Sequence, residues 1–104
     1  MRHVDLSVKM GRQDDVLLVA RKVRHLDARL HDFGPGGPEV VTCDQEQGMV
    51  CARFPEHETQ QVLAGLSSSG VEAAMEGDMA VFYLSDRVSF EDLDYVWGCL
   101  FNIL

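Results

Sequence analysis

Histidines and carboxylates are the residues of this sequence best suited to acid–base or metal chemistry. The four histidines stand at positions 3, 25, 31 and 57. They lack the HxxxH or CxxH spacing that gathers two ligands around one metal ion. Glu56, His57 and Glu58 are adjacent at a predicted helix start, where neighbouring side chains point apart and carboxylates suit the helix dipole. The pattern favours a solvated first turn over a metal or acid–base site.

Two further segments invite a chemical interpretation, the GPGGP at 34–38 and the serines at 67–69. A phosphate-binding loop needs a strand before it and a helix start after it, whereas GPGGP follows a predicted helix and precedes a predicted strand. The serines lack the GxSxG pattern of a nucleophile elbow. We interpret the first segment as a linker and the second as a helix end.

The three cysteines are Cys43, Cys51 and Cys99, and no two of them form a CxxC pair. An odd number with loose spacing argues against a disulfide framework. All three stand in apolar stretches, so we expect them to be small buried hydrophobic residues.

The charge distribution bears on the class of partner. Residues 1–38 hold seven Lys/Arg against five Asp/Glu, residues 39–104 hold two against twelve, and the sum is −8. Binding to nucleic acid or to an anionic membrane needs clustered basic residues, so both are disfavoured.

No apolar run reaches the length of about 18 residues that would span a bilayer. The first ten residues alternate in polarity without a signal peptide's apolar region, which predicts a cytoplasmic chain.

The elements that position these residues follow from apolar periodicity. A period of two over residues 3–10 predicts a half-buried strand. From Asp14 the apolar residues step by three and four, which predicts a helix of about five turns, capped by Asp14 or Asp15 and ended by GPGGP. The predicted buried stripe of this helix is Val16, Val19, Val23, Leu26, Leu30 and Phe33.

The middle of the chain alternates between strands and helices. The predicted elements are strands at 39–43 and 49–54, a helix at 57–67, and strands at 71–75 and 79–84. Gly48 is expected to adopt a positive φ in the turn between the first two of these strands. The six residues of the last strand include no charge, which predicts a central strand covered on both faces.

The last helix is predicted to begin after Ser89, which forms a capping box with Asp92. It is apolar on nearly every side, so it must be buried on most sides or contribute to an interface. We predict an interface that includes Trp97, Phe101 and Leu104 and favours a homo-oligomer or a larger protein partner.

Basic residues of the first helix are a second candidate for this interface. Arg21, Lys22, His25 and Arg29 are predicted to cover its outer face. Arg21 and Arg29 could there meet the acidic surface of another chain. The alternative is a solvated charged face, because exposed ion pairs contribute little.

The predicted order β-α-β-β-α-β-β-α indicates an α+β fold, with one sheet of about four to five strands and helices mainly on one face. A chain of 104 residues is expected to form a single domain over 1–104.

Three segments resemble a known family in the order of their strands and helices and in the residues at their turns. They are the strand pair within 38–55, VLAGLSSSGVEA at 62–73, and SFEDLDYVWGCL at 89–100 after a strand ending in serine. From Val16 onward the order resembles the small C-terminal domain of fold-type I pyridoxal-phosphate (PLP) enzymes. Class V aminotransferases, cysteine desulfurases and β-eliminating lyases are the most similar branch.

The resemblance also implies that this chain lacks two functional residues of the family, the Schiff-base lysine and the carboxylate-binding arginine. The family's Schiff-base lysine belongs to a large domain, and neither Lys9 nor Lys22 stands in its strand–loop context. The family's carboxylate-binding arginine position is occupied by Tyr83, and Arg87 does not match it. We therefore expect no catalysis and no cofactor binding by this chain alone, with PLP present only if a partner supplies the large domain. The strand at 3–10 has no counterpart in the family domain and is expected to seal a sheet edge.

Three hypotheses follow. The first is a stand-alone, non-catalytic domain that acts by self-association or by binding a larger chain. The second is the small subunit of a split PLP-dependent enzyme. The third is a regulatory ligand-binding module of ferredoxin-like build, because β-α-β-β-α-β is contained in the order.

Overall fold

The computed structural model describes residues 2–104 and has the predicted order of elements. The helices are α1 (Val16–His31), α2 (Thr59–Ser68) and α3 (Phe90–Ile103). The strands are β1 (Val4–Leu6), β2 (Glu39–Asp44), β3 (Met49–Arg53), β4 (Val71–Glu76) and β5 (Met79–Tyr83). The predicted α+β fold is confirmed.

The five strands form one mixed sheet in the order β1-β4-β5-β3-β2. Strand β1 is parallel to β4, and the other neighbours are antiparallel. Strand β5 is central, as predicted from its uncharged sequence. Strand β1 is an edge strand, whereas the first strand of a ferredoxin-like sheet is internal.

Strand β1 is shorter than the predicted span of 3–10. The Asp5 carboxylate accepts a hydrogen bond from the Ser7 main-chain N–H at 2.9 Å and another from the Ser7 hydroxyl. A local side-chain bond of this kind offers the backbone an alternative to the sheet ladder. The strand therefore ends at Leu6, and Val8 is partly exposed.

The core lies between one face of the sheet and the three helices. Val50 and Phe82 pair across β3 and β5 and point into this core, where both are fully buried. Helix α1 packs on β2 and β3, helix α2 packs on β4 and β5, and α3 contacts both helices. Cys51 and Val81 pair on the opposite face of the sheet, outside the main cluster.

Helix α1 begins as predicted, but one side chain lies where the sequence did not place it. Asp15 is the N-cap, and its carboxylate accepts a hydrogen bond from the Leu18 N–H. Lys22 was predicted on the outer face, and this is wrong because it is only 3% exposed. Its Nζ donates a 3.0 Å hydrogen bond to the Ser85 main-chain carbonyl. The long aliphatic stem packs in the core while the ammonium reaches this carbonyl.

Two predicted members of the α1 stripe also differ. Val16 is 52% exposed because it is the first helical residue and lies beyond the sheet, and Phe33 lies past the helix end. The stripe that is buried consists of Val19, Val23, Leu26 and Leu30.

The capping box of α3 forms as predicted. The Ser89 hydroxyl accepts a hydrogen bond from the Asp92 N–H, and the Asp92 carboxylate accepts one from the Ser89 N–H, each at 3.0 Å. The helix buries Leu93, Val96 and Leu100. Phe101 remains 63% exposed, so one side of α3 is open rather than enclosed.

The cysteines differ from one another in burial. Cys51 is buried and Cys99 is partly buried, in line with their apolar surroundings. The prediction for Cys43 is wrong, because this residue is exposed on β2, one of the two edge strands of the sheet. No helix within residues 2–104 is long and apolar enough to cross a membrane.

Candidate association surface

Three aromatic rings form a contiguous cluster where α1 and α3 end. The ring centroids of Trp97 and Phe101 are 5.5 Å apart, and Phe33 lies 5.9 Å from Trp97 and 6.2 Å from Phe101. Trp97 and Phe101 share one face of α3 because they are four residues apart. Phe33 reaches them from the loop after α1. We call Phe33, Trp97, Phe101 and Leu104 the aromatic end.

A recess of about 330 Å³ adjoins the aromatic end. Its lining comes from the end of α3, from the GPGGP loop and from residues 56–57, which precede α2. Glu56 contributes the single acidic side chain of the lining. The lining residues are Phe33, Pro35, Gly36, Gly37, Glu56, His57, Phe101 and Leu104. The recess therefore combines a ring face, a lining of mixed polar and apolar groups, and the negative side chain of Glu56.

The Trp97 ring is held by packing. The Arg29 guanidinium carbon lies 4.7 Å from the Trp97 ring centroid, a cation–π geometry. The indole Nε1–H is buried and meets no hydrogen-bond acceptor in the part of the chain that the structure describes. Contacts with rings and with the guanidinium therefore position Trp97 beneath the exposed Phe101.

Most of the predicted basic face of α1 contacts α3, and we call this line of contacts between the two helices the seam. Arg29 Nε donates a 3.0 Å hydrogen bond to Asp94 Oδ1, and His25 Nε2 lies 2.8 Å from the same oxygen. The Arg21 guanidinium carbon lies 5.7 Å from the Phe90 ring centroid, near the start of α3. Of the five predicted interface residues, four converge at the aromatic end: Arg29, Trp97, Phe101 and Leu104. Arg21 lies apart from them, at the opposite end of the seam.

Asp94 is the acceptor that joins this seam. The hydrogen bond with His25, followed by the bond and charge of Arg29, lowers the pKa of Asp94 below its ordinary value of 3.8. A lowered folded-state pKa gives stability that is present above the unfolded pKa and lost as the pH falls through the folded pKa. The side chain is 45% exposed, so solvent screens much of this interaction.

We expect Asp94→Asn to lower the free energy of unfolding at pH 7 by less than about 1 kcal/mol. The difference from wild type should shrink as the pH falls from 3.8, where the carboxylate of the unfolded chain becomes protonated, through the lower folded-state pKa of Asp94. Urea unfolding at several pH values measures this. Asp78→Asn is the matched control, since Asp78 is 78% exposed and its contact with Arg53 is 3.4 Å long. A loss at pH 7 that persists unchanged in acid would contradict the ionic origin.

The other sequence candidates are engaged locally or lie apart. The Ser67 hydroxyl donates to Glu72, and the Ser68 hydroxyl donates to the Ala64 carbonyl, as expected at a helix end. Glu56, His57 and Glu58 are exposed, and His57 borders the recess. No group of three or more potential metal ligands forms within residues 2–104.

One cluster was missed by the sequence reasoning. Lys9, Arg12 and Arg87 line the same pocket, although Arg87 is far from the other two in the chain. Each of the three has an acidic residue three or four positions away in the sequence, so local spacing gave no signal for the cluster. Only the fold brings them together.

No protein-family model matches this chain, and no curated protein matches its sequence.

Proposed function

We propose that this chain is a non-catalytic α+β association domain that binds a larger protein chain through the aromatic end. The observation that carries the proposal is the exposure of Phe101, 63% of which faces solvent at the end of a contiguous ring cluster. Aromatic side chains beside a recess are the usual energetic anchors of protein interfaces. The adjoining recess, whose lining mixes polar and apolar groups, provides a pocket beside this anchor.

Charge favours a different partner over a second copy. The chain has a net charge of −8, so two copies repel each other before any contact forms. Glu56 in the recess wall favours a cationic group, and the exposed ring face offers a cation–π partner. The complementary surface is therefore apolar and basic. Self-association remains the alternative that the experiment below tests.

The larger chain is proposed to resemble the large domain of a fold-type I PLP enzyme, with this chain as its small subunit. The element order and the Ser89–Asp92 capping box support the resemblance. The lysines of this chain do not fit the cofactor. Lys22 is buried and bonded to the Ser85 carbonyl, and Lys9 lies on the loop before α1. The larger chain would hold PLP, which supplies an electron sink for reactions at an amino-acid carbon.

The test is an affinity capture from native extract, followed by light-scattering mass and a visible spectrum. We expect the isolated chain to be monomeric and to retain a larger partner, because Phe101 anchors the contact. Phe101→Ala should lose this partner. Leu17→Ala is the matched control, since Leu17 is apolar and 79% exposed at the start of α1.

Either of two results would overturn the proposal. One is a partner retained equally by Phe101→Ala and wild type. The other is a wild-type homodimer that Phe101→Ala dissociates, which would assign the aromatic end to a second copy. A captured partner with the yellow absorbance of lysine-bound PLP would support the split enzyme, and a colourless one would restrict the proposal to association.

A further inference from the structure

A pocket of about 300 Å³ lies between the loop that precedes α1 and the loop that joins β5 to α3. Its cations are Lys9, Arg12 and Arg87, and its single carboxylate is Asp14. The lining residues are Val8, Lys9, Gly11, Arg12, Gln13, Asp14, Ser85 and Arg87. Three of the nine basic residues of an acidic chain therefore meet at one place.

These three cations differ in their contacts from five of the other six basic residues, which have polar partners. Among residues 2–104, Lys9, Arg12 and Arg87 make no ion pair within 4.0 Å, and only Lys9 contacts a ring, that of Tyr83 at 5.8 Å. Five of the other basic residues have a polar partner inside the fold, and Arg21, like Lys9, contacts a ring. These contacts are Arg2–Asp92, Arg21–Phe90, Lys22–Ser85, Arg24–Gln45, Arg29–Asp94 and Arg53–Asp78.

Hydrogen bonds between the two loops hold the pocket in shape. The Asp15 main-chain N–H donates to both carboxylate oxygens of Asp86 at 3.1 Å. The buried Lys22 ammonium donates a hydrogen bond to the main-chain carbonyl of Ser85. Both contacts join the α1 segment to the loop before α3. The Asp86 carboxylate is thereby bonded to the backbone of Asp15. The pKa of a different carboxylate, that of Asp5, is lowered mainly by the Ser7 hydrogen bonds and further by the charge of Arg87.

The polar groups of the lining are also oriented. The Asp14 carboxylate accepts a 2.8 Å hydrogen bond from the Gly11 N–H. Ser85 is 4% exposed, and its hydroxyl oxygen accepts the Arg87 N–H at 3.3 Å, which leaves the hydroxyl proton to donate. Three cations against one carboxylate give the lining a charge of +2. The pocket thus offers donors and positive charge to an anion.

We propose that this pocket binds the phosphate group of a small, soluble phosphorylated molecule. Arginine presents planar, forked donors that match phosphate oxygens, and the pocket holds two arginines, a lysine and a serine hydroxyl. A phosphate monoester carries a charge of about −1.5 to −2 and three acceptor oxygens, which balances a lining of +2. The volume also falls at the lower end of small-molecule sites, which begin at about 300 Å³.

The test is a titration of the chain with inorganic phosphate and with free phosphoserine at constant ionic strength, with acetate as the comparison anion. Amide NMR shifts of Gly11, Arg12 and Arg87 report the site. We expect saturable shifts with a dissociation constant in the millimolar range for phosphate, about 1 mM, and weaker binding of acetate. Arg12→Gln and Arg87→Gln should each weaken binding about tenfold.

Arg24→Gln is the matched control, because it removes one positive charge from an exposed arginine outside the pocket. Its affinity should stay within about twofold of wild type, and circular dichroism verifies that every variant is folded. Equal weakening by Arg24→Gln, or shifts that do not saturate, would reduce the effect to general electrostatics and overturn the proposal.

Vesicles of phosphatidylcholine with phosphatidic acid should not bind, because the net charge of −8 repels an anionic bilayer. Vesicle binding that is lost in Arg12→Gln would overturn the assignment to a soluble ligand.

Discussion

Replacing Phe82 with alanine is expected to lower the free energy of unfolding by about 4 kcal/mol, the range found for large aromatic side chains in cores. Phe82 is fully buried, lies on the central strand β5 and pairs with Val50 on β3. The sheet cannot close around the cavity, because both neighbouring strands hold β5 by backbone hydrogen bonds. Domains of this size have a total stability of about 5–15 kcal/mol, so the variant is expected to be near the limit of folding. Thermal unfolding should shift down by roughly 15–30 °C.

Phe101→Ala is the control that makes this result informative about function. It deletes the same side chain from a residue that is 63% exposed, so we expect a loss of about 1 kcal/mol or less, mainly from its ring contacts. A loss as large as that of Phe82→Ala would show that Phe101 belongs to the core. Its effect on partner capture would then report unfolding, and the aromatic end would no longer be a surface.

The elements could be predicted because each has a local cause within its own sequence. The period of three and four residues defines α1, the Ser89–Asp92 capping box defines the start of α3, and Gly48 marks the turn before β3. Strand β1 was overestimated for a local reason too. The alternation continues to residue 10, but the Asp5 carboxylate binds the Ser7 N–H and ends the strand.

The positions of particular side chains could not be predicted, because they depend on residues far away in the chain. Lys22 is buried where the Ser85 carbonyl, 63 residues later, accepts a hydrogen bond from its ammonium group. Cys43 is exposed because β2 forms an edge, which the order of elements along the chain does not reveal. The aromatic end was predicted in part, since the two rings of α3 are four residues apart, but Phe33 joins them through the loop after α1.

The two proposed surfaces lie at opposite ends of α1. Asp14 borders the pocket of Lys9, Arg12 and Arg87 just before α1 begins, and Phe33 belongs to the aromatic end just after α1 ends. Sixteen residues of helix separate them, a length of about 24 Å. Substitutions this far apart are expected to act independently. Phosphate binding that survives Phe101→Ala, and partner capture that survives Arg12→Gln, would therefore keep the two proposals separate.

Gly48→Ala is the second substitution with a large expected effect, a loss of about 3 kcal/mol in the free energy of unfolding. Gly48 has a φ of +69°, where an alanine costs about 1–2 kcal/mol because its Cβ crowds the backbone. An added Cβ would also lie 2.7 Å from Val19 Cγ1 and 3.2 Å from the Leu84 carbonyl oxygen. Val19 is fully buried and branched at Cβ, so its methyl group has no other rotamer to adopt within the helix.

The Leu84 N–H donates a 2.7 Å hydrogen bond to the Gly48 carbonyl, which fixes the turn against the end of β5. The turn therefore cannot move away from Val19 without breaking this bond, and the steric cost adds to the backbone cost. Gly77→Ala separates the two contributions. Gly77 has a φ of +61° but no atom within 4 Å of an added Cβ, so it should lose only about 1 kcal/mol. Equal losses in urea unfolding of the two variants would mean that the close approach to α1 contributes nothing, and that backbone strain alone explains the glycine.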